Sequence, residues 1–266
     1  MKMDGSADLD GNGIYVPSVF SRGEGETRMG DKSLSVVTMF HNMRDRDYNT
    51  RCFYLLKSLI ESHDVAELSI SIVDTTPGYE DFTVCMVDMS HSRIGGDFRY
   101  PKIMHSLSVF NKSRALNHGL SLVKPKYTYT MFTDIDFIFH PNAIKTIVDA
   151  MSEDRMVLGI ASYLAKTPEY PFDWDEIVSA PLEKPRERKL SPGTIQVAPT
   201  SWFRRIGGYD ESYEGGLGGM DDEMKRTAME DGLELYWIEE PLFFHCPHPR
   251  SPLKGKCSHI YHGKEK

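Results

Sequence analysis

The stretch Tyr127-Thr-Tyr-Thr-Met-Phe-Thr-Asp134-Ile-Asp136-Phe-Ile-Phe139 sets aromatic and β-branched residues against two carboxylates two positions apart. Residues Tyr127 to Thr133 predict a buried strand that runs into Asp134. In extended backbone, positions i and i+2 lie on one side. Asp134 and Asp136 are therefore expected to point together at the end of a central strand. Two like charges that close need a cation or a proton. A hard divalent cation takes carboxylate and diphosphate oxygens together. Taken alone, the pair also reads as a solvated turn after a strand.

Outward from this stretch, strand and helix signals alternate. Ser35 to Phe40 reads as a buried strand, His41 to Arg46 as a loop and Tyr48 to Ile60 as a helix through Leu55, Leu56 and Leu59. Leu68 to Val73 predicts a strand ending at Asp74, and Phe82 to Val87 a further one. Ser113 to Val123 has one apolar helical face, Pro141 opens the next helix, and Val157 to Ala161 is another strand. Residues 163–192, rich in Pro, Glu, Lys and Arg, read as an irregular surface excursion. A short helix near Trp202, a glycine-rich loop, a helix from Asp221 and a strand at Leu233 to Ile238 follow. This order predicts an α/β fold: one domain with a mostly parallel central sheet flanked by helices. Ligands then bind beyond the carboxyl ends of the strands. The domain is expected over 34–250, after a flexible lead-in at 1–33 and before a tail at 251–266.

The 266 residues carry a net charge of -8, so nucleic acid is not favoured as a partner by the overall field. The four cysteines form no C-x-x-C pair and no dense framework, which argues against a disulfide-stapled fold. The polar, acidic first ten residues do not form a signal peptide, and no apolar run reaches membrane-spanning length. A cytoplasmic setting is expected. Asp8-Leu-Asp-Gly-Asn-Gly13 opens like a calcium loop, but Val19 stands where the twelfth-position carboxylate belongs.

Three further clusters carry candidate chemistry. In Val109-Phe-Asn-Lys112-Ser-Arg114-Ala-Leu-Asn117-His-Gly119, cations occupy the first turn of a predicted helix, where the helix dipole does not favour them. A ligand anion and an exposed basic face are both open as explanations. In Gly215-Gly-Leu-Gly-Gly-Met-Asp221-Asp222-Glu223, glycines permit close backbone approach to a ligand, and acidic residues open a helix. Simple capping explains those acids equally well. Phe244-His245-Cys-Pro-His248 places two histidines at metal-sharing distance, with Cys257, His259 and His262 downstream as the makings of a separate zinc site.

The order F-N-K-x-R-x-L-N-x-G, F-x-D-x-D-x-I, I-G-G-Y-D-E, G-x-G-G-x-D-D and H-x-x-H resembles the GT-A glycosyltransferases. It is most similar to the family 7 group of galactosyltransferase and chondroitin-synthase-type domains, with family 2 close behind. The resemblance covers Leu34 to Arg250. It implies a GT-A fold and an inverting transfer from a nucleotide diphosphate sugar, a UDP-sugar first, to a glycan or other hydroxyl acceptor. The implied cofactor is Mn2+ or Mg2+. Carried over by position, Phe40, His41, Asn42 and Arg44 hold the nucleotide, and Asp74 contacts the uridine. Phe110 and Lys112 lie near the base and diphosphate. Asp136 binds the metal directly with Asp134 beside it; His245 and His248 are the late metal pair, His248 the better match. Asp221 is the catalytic base, with Asp222 next to it. Two departures concern the sugar: Leu217 stands for an aromatic and Met220 for a carboxylate in the glycine-rich motif. A nucleotide-sugar-binding protein without turnover and a metal-dependent nucleotidyltransferase are the alternatives.

Overall fold

The first strand, β1 (Ser33–Phe40), is buried along all eight residues. Its side chains alternate between two apolar clusters. Leu34, Val36 and Phe40 enter one; Val37 and Met39 enter the other. A strand covered on both faces needs this near-continuous apolar run, and the period of two divides it between the layers. The polar side chain of Ser35 is matched across the ladder by Ser69, whose Oγ lies 2.8 Å away. The computed structural model describes residues 32–41, 48–62, 67–75, 98–99, 111–191, 193–214, 219–248 and 258–259.

Among the described residues, eight strands form one sheet in the order β3-β2-β1-β4-β7-β6-β9-β5. They are β2 (Glu67–Asp74), β3 (Phe98–Arg99), β4 (Tyr129–Phe132), β5 (Phe137–Phe139), β6 (Arg155–Tyr163), β7 (Gln196–Pro199) and β9 (Glu234–His245), with β1. The pairs β2–β3, β1–β2, β1–β4 and β6–β9 are parallel. The pairs β4–β7, β6–β7 and β5–β9 are antiparallel. The expected α/β sheet is present, with β7 and β5 reversed. Helices α1 (Tyr48–Glu61) and α3 (Ala143–Ala150) pack into the first cluster. Helices α2 (Lys112–Ser121), α5 (Thr200–Ile206) and α6 (Met220–Glu230) pack into the second. Each fully buried Leu, Ile or Phe contributes about 1.5 to 3 kcal/mol relative to exposure.

Three differences from the sequence reading have local causes. The strand expected at 233–238 continues to His245, with a register shift against β6 between Gly159 and Ala161. A Cβ on Gly159 would lie 2.6 Å from the Phe243 ring, so glycine is what allows the two strands to close there. Pro141 does not open α3; Asn142 is its N-cap. The 163–192 excursion contains a short helix, α4 (Trp174–Ser179), and a bridge between Leu164 and Leu182. It is tied down by Tyr54, Ile177 and Phe244, with Phe53, Phe172 and Trp174 packed against them. The strand expected at Phe82 to Val87 and nearly all of the lead-in and tail lie outside the described residues. Of the tail, β10 (Ser258–His259) pairs antiparallel with β8 (Tyr213–Glu214).

Candidate active site

The parallel register brings the ends of β1, β2 and β4 together, and antiparallel β7 starts at the same edge. Phe40 pairs with Asp74; Phe132 pairs with Gln196. At the other half of this edge, His245 pairs with Tyr163 and with Phe137. Asp134 and Asp136 lie between, in the turn from β4 to β5. This corrects one expectation: a turn at Ile135 and Asp136 interrupts the extended backbone, and the closest charged neighbours of the two carboxylates differ, Lys112 for Asp134 and the two histidines for Asp136. Ile135 is buried between them, at 3% exposure. The turn sends Asp134 toward α2 and α6, and Asp136 toward the end of β9.

On the first side, Lys112 donates to Asp134 Oδ1 at 2.6 Å, and its Nζ lies 3.6 Å from Asp221 Oδ2. Burial disfavours the Lys112 charge, but Asp134, Asp221 and Asp136 outweigh it and raise the ammonium's pKa above its ordinary value. Burial is also the chief cause that pushes the Asp134 carboxyl up to about 6, with Asp221 and Asp136 adding to it against Lys112. Gly193 makes this crowding possible. A Cβ there would lie 2.6 Å from Asp134 Oδ2 and 3.3 Å from Asp221 Oδ2.

On the second side, Asp136 Oδ2 lies 2.9 Å from His248 Nε2 and 3.5 Å from His245 Nε2. Burial alone would raise the Asp136 carboxyl, but the charge of His245 and hydrogen bonds with His245 and His248 hold it well below the usual range. Its other oxygen, Oδ1, is buried and has no hydrogen-bond partner among the described residues. The ligand atoms of Asp136, His245 and His248 all lie within 4.8 Å of one another. One buried orphan oxygen and two imidazole nitrogens fit a divalent cation with mixed nitrogen and oxygen preference.

The residues around Lys112 have structural partners of their own. Asn111 Oδ1 caps α2 by accepting from Arg114 N at 2.8 Å. Arg114 Nε donates to Glu211 Oε2 at 3.1 Å, so its charge is matched within the protein. Asn117 donates to Tyr209 O and accepts from Tyr209 N, both at 2.8 Å. Asp222 is the outer acid: its side chain is 67% exposed and its Oδ1 lies 2.6 Å from Lys225 Nζ. His41 Nδ1 meets Thr75 Oγ1 at 2.8 Å. Phe40 and Asp74 are buried at 2% and 1% exposure. The Phe40 side chain is thus committed to the core, and only its backbone, which accepts from Thr75 N, reaches the strand ends. Asn42, Arg44 and Phe110 lie outside the described residues. So do Cys257 and His262, and of His259 only the backbone is described, so the described side chains do not test the zinc alternative.

Sequence reasoning missed Tyr163, Gly193 and Gln196. The Tyr163 ring lies 4.7 Å from that of His245, and its hydroxyl donates to Leu190 O. Burial and the nearby Asp134 and Asp136 push its pKa up to about 12. The expected strand stops at Ala161, short of Tyr163, whereas the observed one runs to Tyr163; Gly193 and Gln196 carried no signal either. Among the described residues, Cys52 and Cys246 are free and buried.

A mixed sheet with acidic and histidine groups gathered at one strand edge defines the GT-A class of glycosyltransferases. The model for glycosyl transferase family 2 matches residues 35–211, and the chain belongs to that family. No curated protein sequence matches the chain. The fold is similar to that of a 1–349 fragment of S. aureus TarS, at 14% identity and TM-score 0.57, over 80% of this chain and 60% of that one. It is also similar to the mannosyltransferase PcManGT from Pyrobaculum calidifontis, solved with GDP-Man and Mn2+. That match has 15% identity and TM-score 0.53, over 82% of this chain and 58% of that one. The chain thus spans less than two thirds of either, and the likeness is one of fold. No described helix is long and apolar enough to cross a membrane.

Proposed function

We propose that the protein is an inverting, metal-dependent glycosyltransferase. It moves a hexose or N-acetylhexosamine from a nucleotide diphosphate sugar, a UDP-sugar first, to the hydroxyl of a glycan or other acceptor. The observation that carries this reading is the division of labour across one turn: Asp136 with His245 and His248 on one side, Lys112 with Asp134 and Asp221 on the other.

Asp136, His245 and His248 would hold the cation, Mn2+ or Mg2+, with Asp134 beside them. When bound, that cation would supply Lewis-acid neutralisation of the leaving diphosphate. Lys112, buried and charged, adds fixed positive charge where negative charge develops. Asp221 takes the proton from the acceptor hydroxyl. The acceptor oxygen forms its bond to the anomeric carbon as the bond to the diphosphate oxygen breaks, and the electron pair leaves with the diphosphate. Attack opposite the leaving group inverts the configuration. His41 and Asp74, at the ends of β1 and β2, lie where the nucleotide end of the donor would sit.

The direct test is a panel of UDP- and GDP-sugars with manganese, read by thermal shift and by release of the nucleotide diphosphate. A UDP-sugar that shifts the melting midpoint only with metal present, and is turned over, supports the reading. No donor shifting the midpoint would sink it.

A further inference from the structure

The backbone of Asp221 is tied to the sheet by a two-step hydrogen-bond chain that starts at Tyr209. The Tyr209 hydroxyl donates to Gln196 Oε1 at 2.7 Å, and Gln196 Nε2 donates to Asp221 O at 2.8 Å. Tyr209 and Gln196 are 4% and 1% exposed, so water does not compete for these bonds. The directions are forced. A backbone carbonyl only accepts, so the Gln196 amide must turn its NH2 group to Asp221. Its oxygen then faces Tyr209, and the phenol must donate. A phenylalanine at 209 would remove the hydroxyl that donates to that amide oxygen and so loosen the amide that holds Asp221 O.

Asp221 is the second residue of α6 and follows Gly219, whose φ of +82° no ordinary residue adopts readily. Asn117 clamps Tyr209 through both backbone groups, and Asn117 shares α2 with Lys112. The helix that carries the cation and the helix that carries the base are therefore joined through Tyr209.

The geometry points to Tyr209 as a positioning residue that acts on Asp221 through Gln196 and fixes where the carboxylate stands relative to Lys112 and Asp134. This rests on the reading of Asp221 as the base. The burial that isolates the phenol, with Asp221 and Asp134 nearby, also raises its pKa well above the ordinary value, so it remains a donor.

The test uses Tyr209→Phe and Gln196→Met in the full chain, with two readouts. The first is release of UDP or GDP from the panel of UDP- and GDP-sugars with manganese. The second is amide hydrogen exchange of the peptide Met220 to Ala228. Both variants should lower kcat about tenfold, the scale of one hydrogen bond, and leave the donor KM within about twofold. Exchange in 220–228 should quicken while α1 is unchanged. In an Asp221→Asn background, Tyr209→Phe should cost nothing further. Unchanged exchange in 220–228, or an equal rate loss in both backgrounds, would overturn the proposal. If Asp221→Asn alone keeps the wild-type rate, the base assignment falls, and the exchange readout still decides whether the anchor exists.

Discussion

Lys112 Nζ stands between two carboxylates that belong to different elements, 2.6 Å from Asp134 Oδ1 and 3.6 Å from Asp221 Oδ2. A buried cation shared in this way holds like charges together that would otherwise repel. Lys112→Met keeps the length of the side chain and removes the charge. It should lower transfer by roughly 100-fold or more, the scale seen when one charge-stabilising donor is lost. Steady-state kinetics with the donor found by the nucleotide-sugar panel checks this; a loss under about threefold would remove Lys112 from the diphosphate role.

The same cluster sets a pH dependence in the metal-free protein. The Asp134 carboxyl has a folded-state pKa of about 6 against an ordinary 3.8. Its protonated form is the one the fold favours, so its contribution is present below about pH 4 and is lost as pH rises through about 6. Melting with EDTA present should show Asp134→Asn gaining on the wild type between those limits and holding a constant difference above them. A difference that does not change with pH would mean that burial does not govern Asp134.

Removal of metal ligands should be graded by geometry. Asp136→Ala should abolish metal-dependent donor binding, since its unpartnered Oδ1 and its shared Oδ2 are both lost. His248 lies closer to Asp136 than His245 does, 2.9 Å against 3.5 Å. His248→Ala should therefore weaken manganese binding more than His245→Ala, by about 100-fold, since even outer-sphere losses cost 10 to 100-fold. Calorimetric titration with MnCl2 measures both, and the reverse order would move the ligand role to His245.

The two adjacent acids should separate cleanly. Asp221 has a 16% exposed side chain facing Lys112, whereas Asp222 points to solvent and Lys225. Asp221→Asn should cut kcat by about 100-fold or more with donor affinity kept. Asp222→Asn should change kcat by less than about threefold, the reach of an exposed ion pair. Exchanged effects would make Asp222 the base.

Gly193→Ala tests the crowding directly. The added methyl would meet Asp134 Oδ2 at 2.6 Å, which is closer than real contacts allow. Asp134 must swing away from its place beside the proposed cation site, and a misplacement of about 1 Å there is expected to cost on the order of 100-fold in rate. Thermal stability should change little beside that loss. A fully active Gly193→Ala protein would show that Asp134 can stand elsewhere without cost.

Much of this was legible in the residues themselves. The period-two run of β1, the helical faces of α1 and α2 and the carboxylates after β4 carry local signals that the tertiary structure keeps. The late histidine pair was legible as a motif, but not the strand that delivers it, because β9 passes through Glu239, Glu240 and Pro241 before His245. The orientation of Asp134 and Asp136 was misread because the chain turns between them, so the two-residue period does not apply. Tyr163, Gly193 and Gln196 act through neighbours distant in sequence, and a single strand residue or glycine carries no mark of that. The 163–192 segment reads as surface because its aromatic residues follow no period; packing against Tyr54 and Phe244 orders it instead.

The pairing of β10 with β8 gives a practical rule for handling the protein. Glu214, the partner of Ser258, lies seven positions before Asp221. Shortening the chain ahead of Ser258 would strip a strand partner from Tyr213 and Glu214, which precede α6 in the chain.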